Sequence, residues 1–483
     1  MSEHSPMMRR VLHDGTAKKT VIPRKGRIRI LLLLLLITIF CWLKISGVIS
    51  FDKKAAAEVP KKVAVKKEKK RKDKSQIKKP EIVAASIPLL RKNAELDFAA
   101  VSTLLNQHQG PFAASCDTVK NDKKDLIFYY SLDSTLQKLG NSLMKQYKPL
   151  YGAIVALHPC TGRVLSLISW THDSMPSLGN DLFCRSIFPA ASIFKTVTAA
   201  AAIEQAGFTS ETTIPHAGRN HTLYKYQLEK ELAVFKDVSL EFAFANSMNP
   251  VFARIGMYSL RRNGIYEIGK RFGFNTEIPF ELPVDISSLP QTDSTFSIAE
   301  LTSGFNQKTT LSPMLGALMA AAIAQHGQIP APHMVDSISN GDSTIYRTSS
   351  KQLQAAIAPS TAKELTSMMQ CVTRYGTARK SFRYLKNTSR FDTIEYGGKT
   401  GSVDKDSIGR VDWFIGFAKH PDDKRQRIAI GVLTVHGAYW TVHSSYIAAE
   451  YFRKYLRSIQ LQDENELKMA ASLADSTSRT ENN

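Results

Sequence analysis

Residues 189–207 read PAASIFKTVTAAAAIEQAG, and few stretches leave a chain less choice. The run of alanines, with Ile193, Val197 and Ile203 among its apolar positions, is a strong helix former. Pro189 belongs outside such a helix or in its first turn, and Gly207 terminates it. Ser192 therefore falls at or near a helix N-terminus. Lys195, three residues on, stands about one turn away on the same face. A hydroxyl so placed lies within the positive end of a helix dipole and beside an amine. That is a nucleophile with a base next to it.

The pair alone is weak, because Ser-x-x-Lys also starts at Ser50, Ser75, Ser142, Ser360 and Ser402. Two later elements single out Ser192. Ser247-Met248-Asn249 is the only Ser-x-Asn in the chain, and Lys399-Thr400-Gly401, followed by Ser402, is the only Lys-Thr-Gly. Their order is that of the three short motifs of a class of serine acyl-transfer enzymes.

The formal charge of +21 invites a nucleic-acid reading, so its distribution matters. Residues 1–80 carry 22 Lys and Arg against 6 Asp and Glu, and the remainder carries 42 against 37. The basic excess belongs to an N-terminal appendage. No nucleic-acid motif or interleaved aromatic platform accompanies it, which excludes that class. Of the five cysteines, Cys41 falls in an apolar span. Cys116, Cys160, Cys184 and Cys371 could remain free or pair in three ways, and none are at metal-ligand spacing. No cofactor is called for.

Residues 30–51 contain six consecutive leucines and a single charge, Lys44. As a helix they rise about 33 Å, enough to cross a ~30 Å hydrocarbon layer if Lys44 snorkels. A cleaved secretory signal is the alternative, but the nearest small-residue site, residues 55–57, lies far from the apolar run. The expected organisation is a basic cytoplasmic tail (1–29), a transmembrane anchor (30–51), a Lys-rich tether (52–80), a small N-terminal region (81–124), a main domain (125–460) and a polar C-terminal tail (461–483). Basic residues flank both ends of the span, so charge alone does not orient it. Like charges extend the tether, which fully stretched reaches on the order of 90 Å.

In the N-terminal region the pattern predicts one short helix at 94–105. From Asp125 onward it predicts a strand at 126–130, a helix at 135–147 and a strand pair at 151–157 and 163–169. Helical pieces follow at 239–245 and 250–258, with Ser247 and Asn249 on the loop that Pro250 imposes between them. Further helices are expected at 313–326 and 362–374. Strands follow at 396–402, 412–418 and 428–435, a closing helix at 444–459, and a tail that frays from Gln462.

From about Asp125 to Ile459 the chain resembles the transpeptidase domain of penicillin-binding proteins. GAIVALHPCTGRVLSLISW resembles the entry hairpin of that family. FPAASIFKTVTAAAAIE, LEFAFANSMNP and GGKTGSVDKDSIGRVDWFIGFA resemble its three active-site segments. The resemblance implies an α/β (α+β) fold of the penicillin-binding protein/serine β-lactamase type. In it an antiparallel sheet packs with helices, a mostly helical subdomain lies beside it, and the site sits in the cleft between. It implies that Ser192 is acylated and that Lys195 is its general base. Ser247 and Asn249 line the opposite wall, Ser247 relaying a proton to the leaving amine. Lys399, Thr400 and Gly401 pair with the substrate backbone, and the backbone N–H groups of Ser192 and Ser402 form the oxyanion hole. The partners implied are peptidoglycan stem peptides, β-lactams and wall-synthesis proteins, with the main domain on the extracytoplasmic (periplasmic) side of the membrane. No acidic glycosyltransferase signature lies upstream, and the region before Asp125 is shorter than the pedestal of most monofunctional relatives.

Three activities fit this pattern. The first is D,D-transpeptidation, which passes the acyl group from Ser192 to an amine. The second is hydrolysis of the same ester, as a D,D-carboxypeptidase or β-lactamase. The third is a penicillin-sensing receptor or a noncatalytic scaffold that binds wall peptide. All catalytic side chains are present, and no spacing assigns a water-activating Glu/Asn pair, so the first is the expectation.

Overall fold

The structure, a computed structural model, describes residues 96–107, 115–121, 124–292, 294–388, 391–405 and 408–480. The expected tail at 1–29, anchor at 30–51 and tether at 52–80 lie outside the described residues. Among those described, no helix is long and apolar enough to cross a membrane.

In chain order the principal elements begin with α1 (Phe98–Gln107), β1 (Cys116–Asn121), β2 (Lys124–Tyr130) and α2 (Ser134–Tyr147). A hairpin of β3 (Tyr151–Leu157) and β4 (Val164–Thr171) follows, then α3 (Lys195–Ala206), α4 (Leu240–Ala245), α5 (Asn249–Tyr258), α6 (Arg262–Arg271), α7 (Thr295–Ser303) and α8 (Pro313–Ala324). The chain continues through β5 (Val335–Asn340), β6 (Ser343–Arg347) and α9 (Pro359–Arg374). It ends with β7 (Glu395–Lys405), β8 (Gly409–Lys419), β9 (Arg427–His436) and α10 (Ser444–Thr480).

The strands predicted around the Lys-Thr-Gly motif and the 151–171 hairpin form one antiparallel sheet, ordered β7-β8-β9-β3-β4. Every residue of β3 is buried, as expected for an inner strand covered on both faces. One face packs on α8, whose twelve residues are all buried because Ala, Leu and Met surround it on every side. Gly431 of β9 lets this helix come close: a Cβ there would lie 2.3 Å from the carbonyl oxygen of Pro313. On β7, Gly397 faces α9, where a Cβ would meet the Met369 backbone at 2.7 Å. Its neighbour Tyr396 points the other way, stacking on Phe382, which also contacts Phe452 of α10. The alternation along one strand thus puts α9 and α10 on opposite faces.

A second antiparallel sheet, β1-β2-β5-β6, joins the N-terminal region to the segment after α8. The β1–β2 hairpin spans position 125, so the chain on both sides of that boundary belongs to one sheet. The helix expected at 94–105 is Phe98–Gln107, and Leu96 donates to the Ile345 carbonyl of β6. The closing helix differs most from expectation. It does not stop near Ile459 but runs to Thr480, through a segment rich in the helix formers Glu, Lys, Leu, Met and Ala. The four described cysteines are all free thiols.

The second sheet is pinned by a fully buried acid. Glu281 accepts hydrogen bonds from the Met334 and Val335 N–H groups at the entry to β5, each at 3.0 Å to Oε1. Burial outweighs these bonds and pushes the Glu281 carboxyl up to about 7. An acid raised in the folded state binds its proton more tightly there than in the unfolded chain. Its contribution to stability is therefore complete below about pH 4.5 and is lost as pH rises toward 7. The loss is about 3 kcal/mol. Asp412, also buried and also pushed up to about 7, contributes a similar fall, so in urea unfolding at pH 5 and pH 7.5 Glu281→Gln is expected to lose about 2 kcal/mol less than the parent between the two pH values. An equal fall in the variant would locate the pH dependence elsewhere.

Candidate active site

The segment entering the site is clamped before it turns. Phe188 and Pro189 pair with Leu311 and Thr310, the Ala190 N–H donates to the Thr309 carbonyl at 2.8 Å, and Trp413 Nε1 of β8 donates to the Pro189 carbonyl at 2.8 Å. The chain then makes a tight 3₁₀ turn over Ala191–Phe194 before α3 begins at Lys195. Ser192 thus precedes the α-helix proper by one turn. Ala191 is forced to φ 49°, a left-handed conformation costing an alanine on the order of 1–3 kcal/mol. The turn is pressed from the far side by Gly304, the C-cap of α7. A Cβ there would lie 2.1 Å from the Ala191 carbonyl oxygen.

Lys195 is fully buried. Its Nζ lies 2.7 Å from Ser192 Oγ and 2.7 Å from Asn249 Oδ1, and it also meets the Ser303 carbonyl at the end of α7. Two of these three partners, the amide and main-chain oxygens, can only accept. A neutral amine gives its two N–H groups to them and turns its lone pair to the Ser192 hydroxyl. Burial drives Lys195 toward that neutral form, and the charge of Lys399 adds to the effect. Together they hold its pKa well below the usual lysine value.

A second chain of contacts runs parallel to the first. Lys399 is also fully buried, and its Nζ donates to Ser247 Oγ at 3.0 Å and to the Thr400 carbonyl at 2.7 Å. Burial lowers its pKa to about 7. Ser247 occupies the bend between α4 and α5 at φ 54°, as the expected loop requires. Asn249 does not sit on that loop. It is the first residue of α5, with Pro250 in the first turn, where a missing N–H costs nothing. The Asn249 N–H donates to the Asn220 carbonyl, and its side-chain Nδ2 donates to the His221 carbonyl at 3.1 Å. Thus the segment carrying His221 orients the amide whose oxygen faces Lys195.

The structure brings together all eight residues singled out from the sequence. Ser192, Lys195 and Asn249 form one bonded set, and Ser247, Lys399 and Thr400 form the other. Gly401 lies against the nucleophile turn, where an added Cβ would be 3.1 Å from the Ile193 nitrogen. Ser402 is exposed and opens onto a groove of about 1050 Å³ that extends past His221, Glu300, Asp404 and Trp440. Sequence reasoning missed three participants. The Ser303 carbonyl is a backbone group and leaves no mark in the sequence. His221 enters through a loop with no periodic pattern. Thr377, whose hydroxyl lies 2.6 Å from that of Thr400, sits in the short Gly-Thr-Ala run after α9, and only the pairing of that run with a helix end could have flagged it.

A family model described as the penicillin binding protein transpeptidase domain matches residues 152–457. The chain is 28% identical over 324 residues to the peptidoglycan D,D-transpeptidase PbpA of Mycolicibacterium smegmatis, covering 60% of this chain and 62% of that protein. It is 26% identical over 341 residues to PbpA of Mycobacterium tuberculosis, covering 64% and 67%. Among solved structures, the D,D-transpeptidase domain of a peptidoglycan glycosyltransferase from Eggerthella lenta is similar with a TM-score of 0.58 at 22% identity, over 71% of this chain and 85% of that one. The imipenem acyl-enzyme complex of penicillin-binding protein A from M. tuberculosis is similar with a TM-score of 0.54 at 23% identity, over 68% and 79%. These structural likenesses establish the mixed α/β fold.

The two buried amines predict a pH signature. Ser192 is activated when Lys195 is neutral, so its acylation rate is expected to rise with pH as that amine loses its proton. Lys399→Met removes the like charge that disfavours protonation of Lys195. The rising limb is then expected to move to higher pH, as read from rates of covalent modification across a pH series. A limb that stays in place, or moves down, would show that Lys399 does not tune Lys195.

Proposed function

The chain belongs to the penicillin-binding protein transpeptidase family, and from that premise we propose that it is a membrane-anchored serine-type D,D-transpeptidase that cross-links peptidoglycan stem peptides. The observation that carries this reading is the buried Lys195 amine, held against Ser192 Oγ by two groups that can only accept.

Ser192 Oγ attacks the carbonyl of the terminal D-Ala–D-Ala bond while its proton passes to Lys195 Nζ. The negative charge that develops on the carbonyl oxygen is met by the backbone N–H groups of Ser192 and Ser402, a contribution of about 10²–10³ in rate for each such donor. When the C–N bond breaks, the leaving amine takes a proton through Ser247, whose hydroxyl Lys399 orients. The acyl group then rests as an ester on Ser192. An amine from a neighbouring strand attacks this ester, Lys195 takes the amine's proton and returns one to Ser192 Oγ, and a new amide is released. β7 is the edge strand of its sheet, so an extended donor peptide adds to it as a further strand. The carboxylate at the end of that peptide lies over the Thr400 end of the strand, in front of Lys399. A β-lactam takes the same path as far as the ester.

Wall peptides lie outside the cytoplasm, and the chemistry therefore orients the molecule. Residues 30–51 serve as a single-pass anchor, 1–29 stay in the cytoplasm, and the tether at 52–80 carries the enzyme toward its substrate on the extracytoplasmic side. Wall-synthesis proteins are the partners such an anchored enzyme would meet. The length of the apolar span supports this placement.

The test uses the full chain in detergent with a fluorescent penicillin, beside Ser192→Ala. Covalent label on the parent, absent from the variant and lasting for hours, is expected. Rapid loss of label would identify a hydrolase of β-lactams. A folded parent that takes no label would overturn the catalytic reading.

A further inference from the structure

We propose that Thr377 is a substrate-binding residue that forms, with Thr400, a two-hydroxyl clamp for the terminal carboxylate of the donor peptide. The assignment rests on the acyl-transfer reading above and adds to it a residue outside the three motifs.

The position of Thr377 is built by its neighbours. The Tyr375 hydroxyl donates to Glu241 Oε1 at 2.9 Å, and the Tyr375 ring stacks on Phe242 with centroids 6.5 Å apart. Two residues on, the Thr377 N–H donates to the Ala245 carbonyl at 3.1 Å, and the Ala378 N–H donates to Val372 at 3.1 Å. Gly376 is buried so tightly against α4 that a Cβ would lie 2.3 Å from the Ala245 oxygen. The segment is thus fastened to the helix that leads into Ser247. Gly376 and Ala378 are buried, whereas Thr377 between them is exposed, so its side chain leaves the packed backbone. That side chain meets β7: Thr377 Oγ1 and Thr400 Oγ1 are 2.6 Å apart.

Two hydroxyls so close use one proton on each other and keep one free. A carboxylate brings two oxygens, and a rotation about each C–O bond turns both hydroxyl protons toward it without moving a heavy atom. Lys399 Nζ, bonded to the Thr400 carbonyl at 2.7 Å, adds positive charge nearby when it carries its proton. The direction of the donor peptide follows from the available space. The large groove opens at the Ser402 to Asp404 end of β7, which suits the body of the peptide. At the other end Thr377 stands against Thr400, which suits a chain terminus. Hydrogen bonds to a charged group are worth enough that removing one costs about 10- to 100-fold.

The experiment measures acylation rate constants of the full chain in detergent with two fluorescent penicillins. One carries its ring carboxylate free, and the other carries it as the methyl ester. Thr377→Val keeps the shape of the side chain and removes the hydroxyl. It is expected to slow acylation by the free acid about 10- to 100-fold, with the loss falling on the acid and not on the ester. The preference for acid over ester then collapses, and Thr377→Ser restores it. An equal loss for both reagents would reduce Thr377 to a structural brace and overturn the clamp. An unchanged acid-to-ester ratio with full reactivity would also overturn it. A parent labelled by neither reagent would overturn the acyl-transfer reading itself, and the clamp with it.

Discussion

The site turns on a lysine amine buried away from solvent. Lys195 is fully buried, and its three polar neighbours come from three elements: the turn before α3, the first residue of α5 and the last carbonyl of α7. Burying a cation without a counter-charge is expensive, and among the described residues no carboxylate is bonded to this one. The cost is relieved by giving up the proton, and the neutral amine is the form that can act as a base. Lys399 lies under the same constraint, and its charge makes that of Lys195 harder to hold. Activation of the serine is therefore a property of how the elements pack, since packing is what excludes the water.

That packing requires backbone conformations most residues avoid. Ala191 and Ser247 both have positive φ without being glycine. Each lies next to, or is, a residue of the bonded sets, and each is overdetermined by its surroundings. Ala191 is held between Gly304 and the strand segment that Trp413 clamps. Ser247 is held between two helices, with its N–H bonded to the Phe244 carbonyl. Strain on this scale persists only where many independent contacts agree. The buried α8 and the five-stranded sheet supply them by holding β7 and β8 in place.

Much of this was legible in the sequence, for reasons that differ by residue. Ser192 and Lys195 could be read because an Ala-rich helix imposes their spacing. The pairing of Lys399 and Thr400 with a strand could be read because glycines and alternating residues mark it. The helix after Ser247 could be read because Pro250 fixes its first turn, although the exact start, at Asn249, could not. What escaped is set by tertiary contact. The carbonyl of Ser303 has no side-chain signature, and the bond between Thr377 and Thr400 joins residues 23 apart through the packing of α9 on β7. The extension of α10 to Thr480 escaped for the opposite reason. The polar residues there suit a solvated helix as well as a loose tail, and local propensity decides between them.

An exposed edge strand is ordinarily a hazard, because its open backbone groups invite pairing with any extended chain. β7 carries this hazard where the site needs it, and the surrounding structure limits how far it extends. At one end Gln307 Nε2 donates to the Asp404 carbonyl at 2.7 Å and occupies an acceptor that a further strand would use. At the other end Thr377 is joined to the strand through Thr400. Between Thr400 and Asp404 lies about 13 Å of strand, room for only a few residues of substrate. On the proposed reading, a peptide that enters this length ends at Thr400, which leaves the bond one residue before its end beside Ser192. On that reading the contact at Thr400 measures a chain terminus, while the groove beside Ser402 to Asp404 takes the body of the peptide, and Gln307 only limits how far the strand pairing runs.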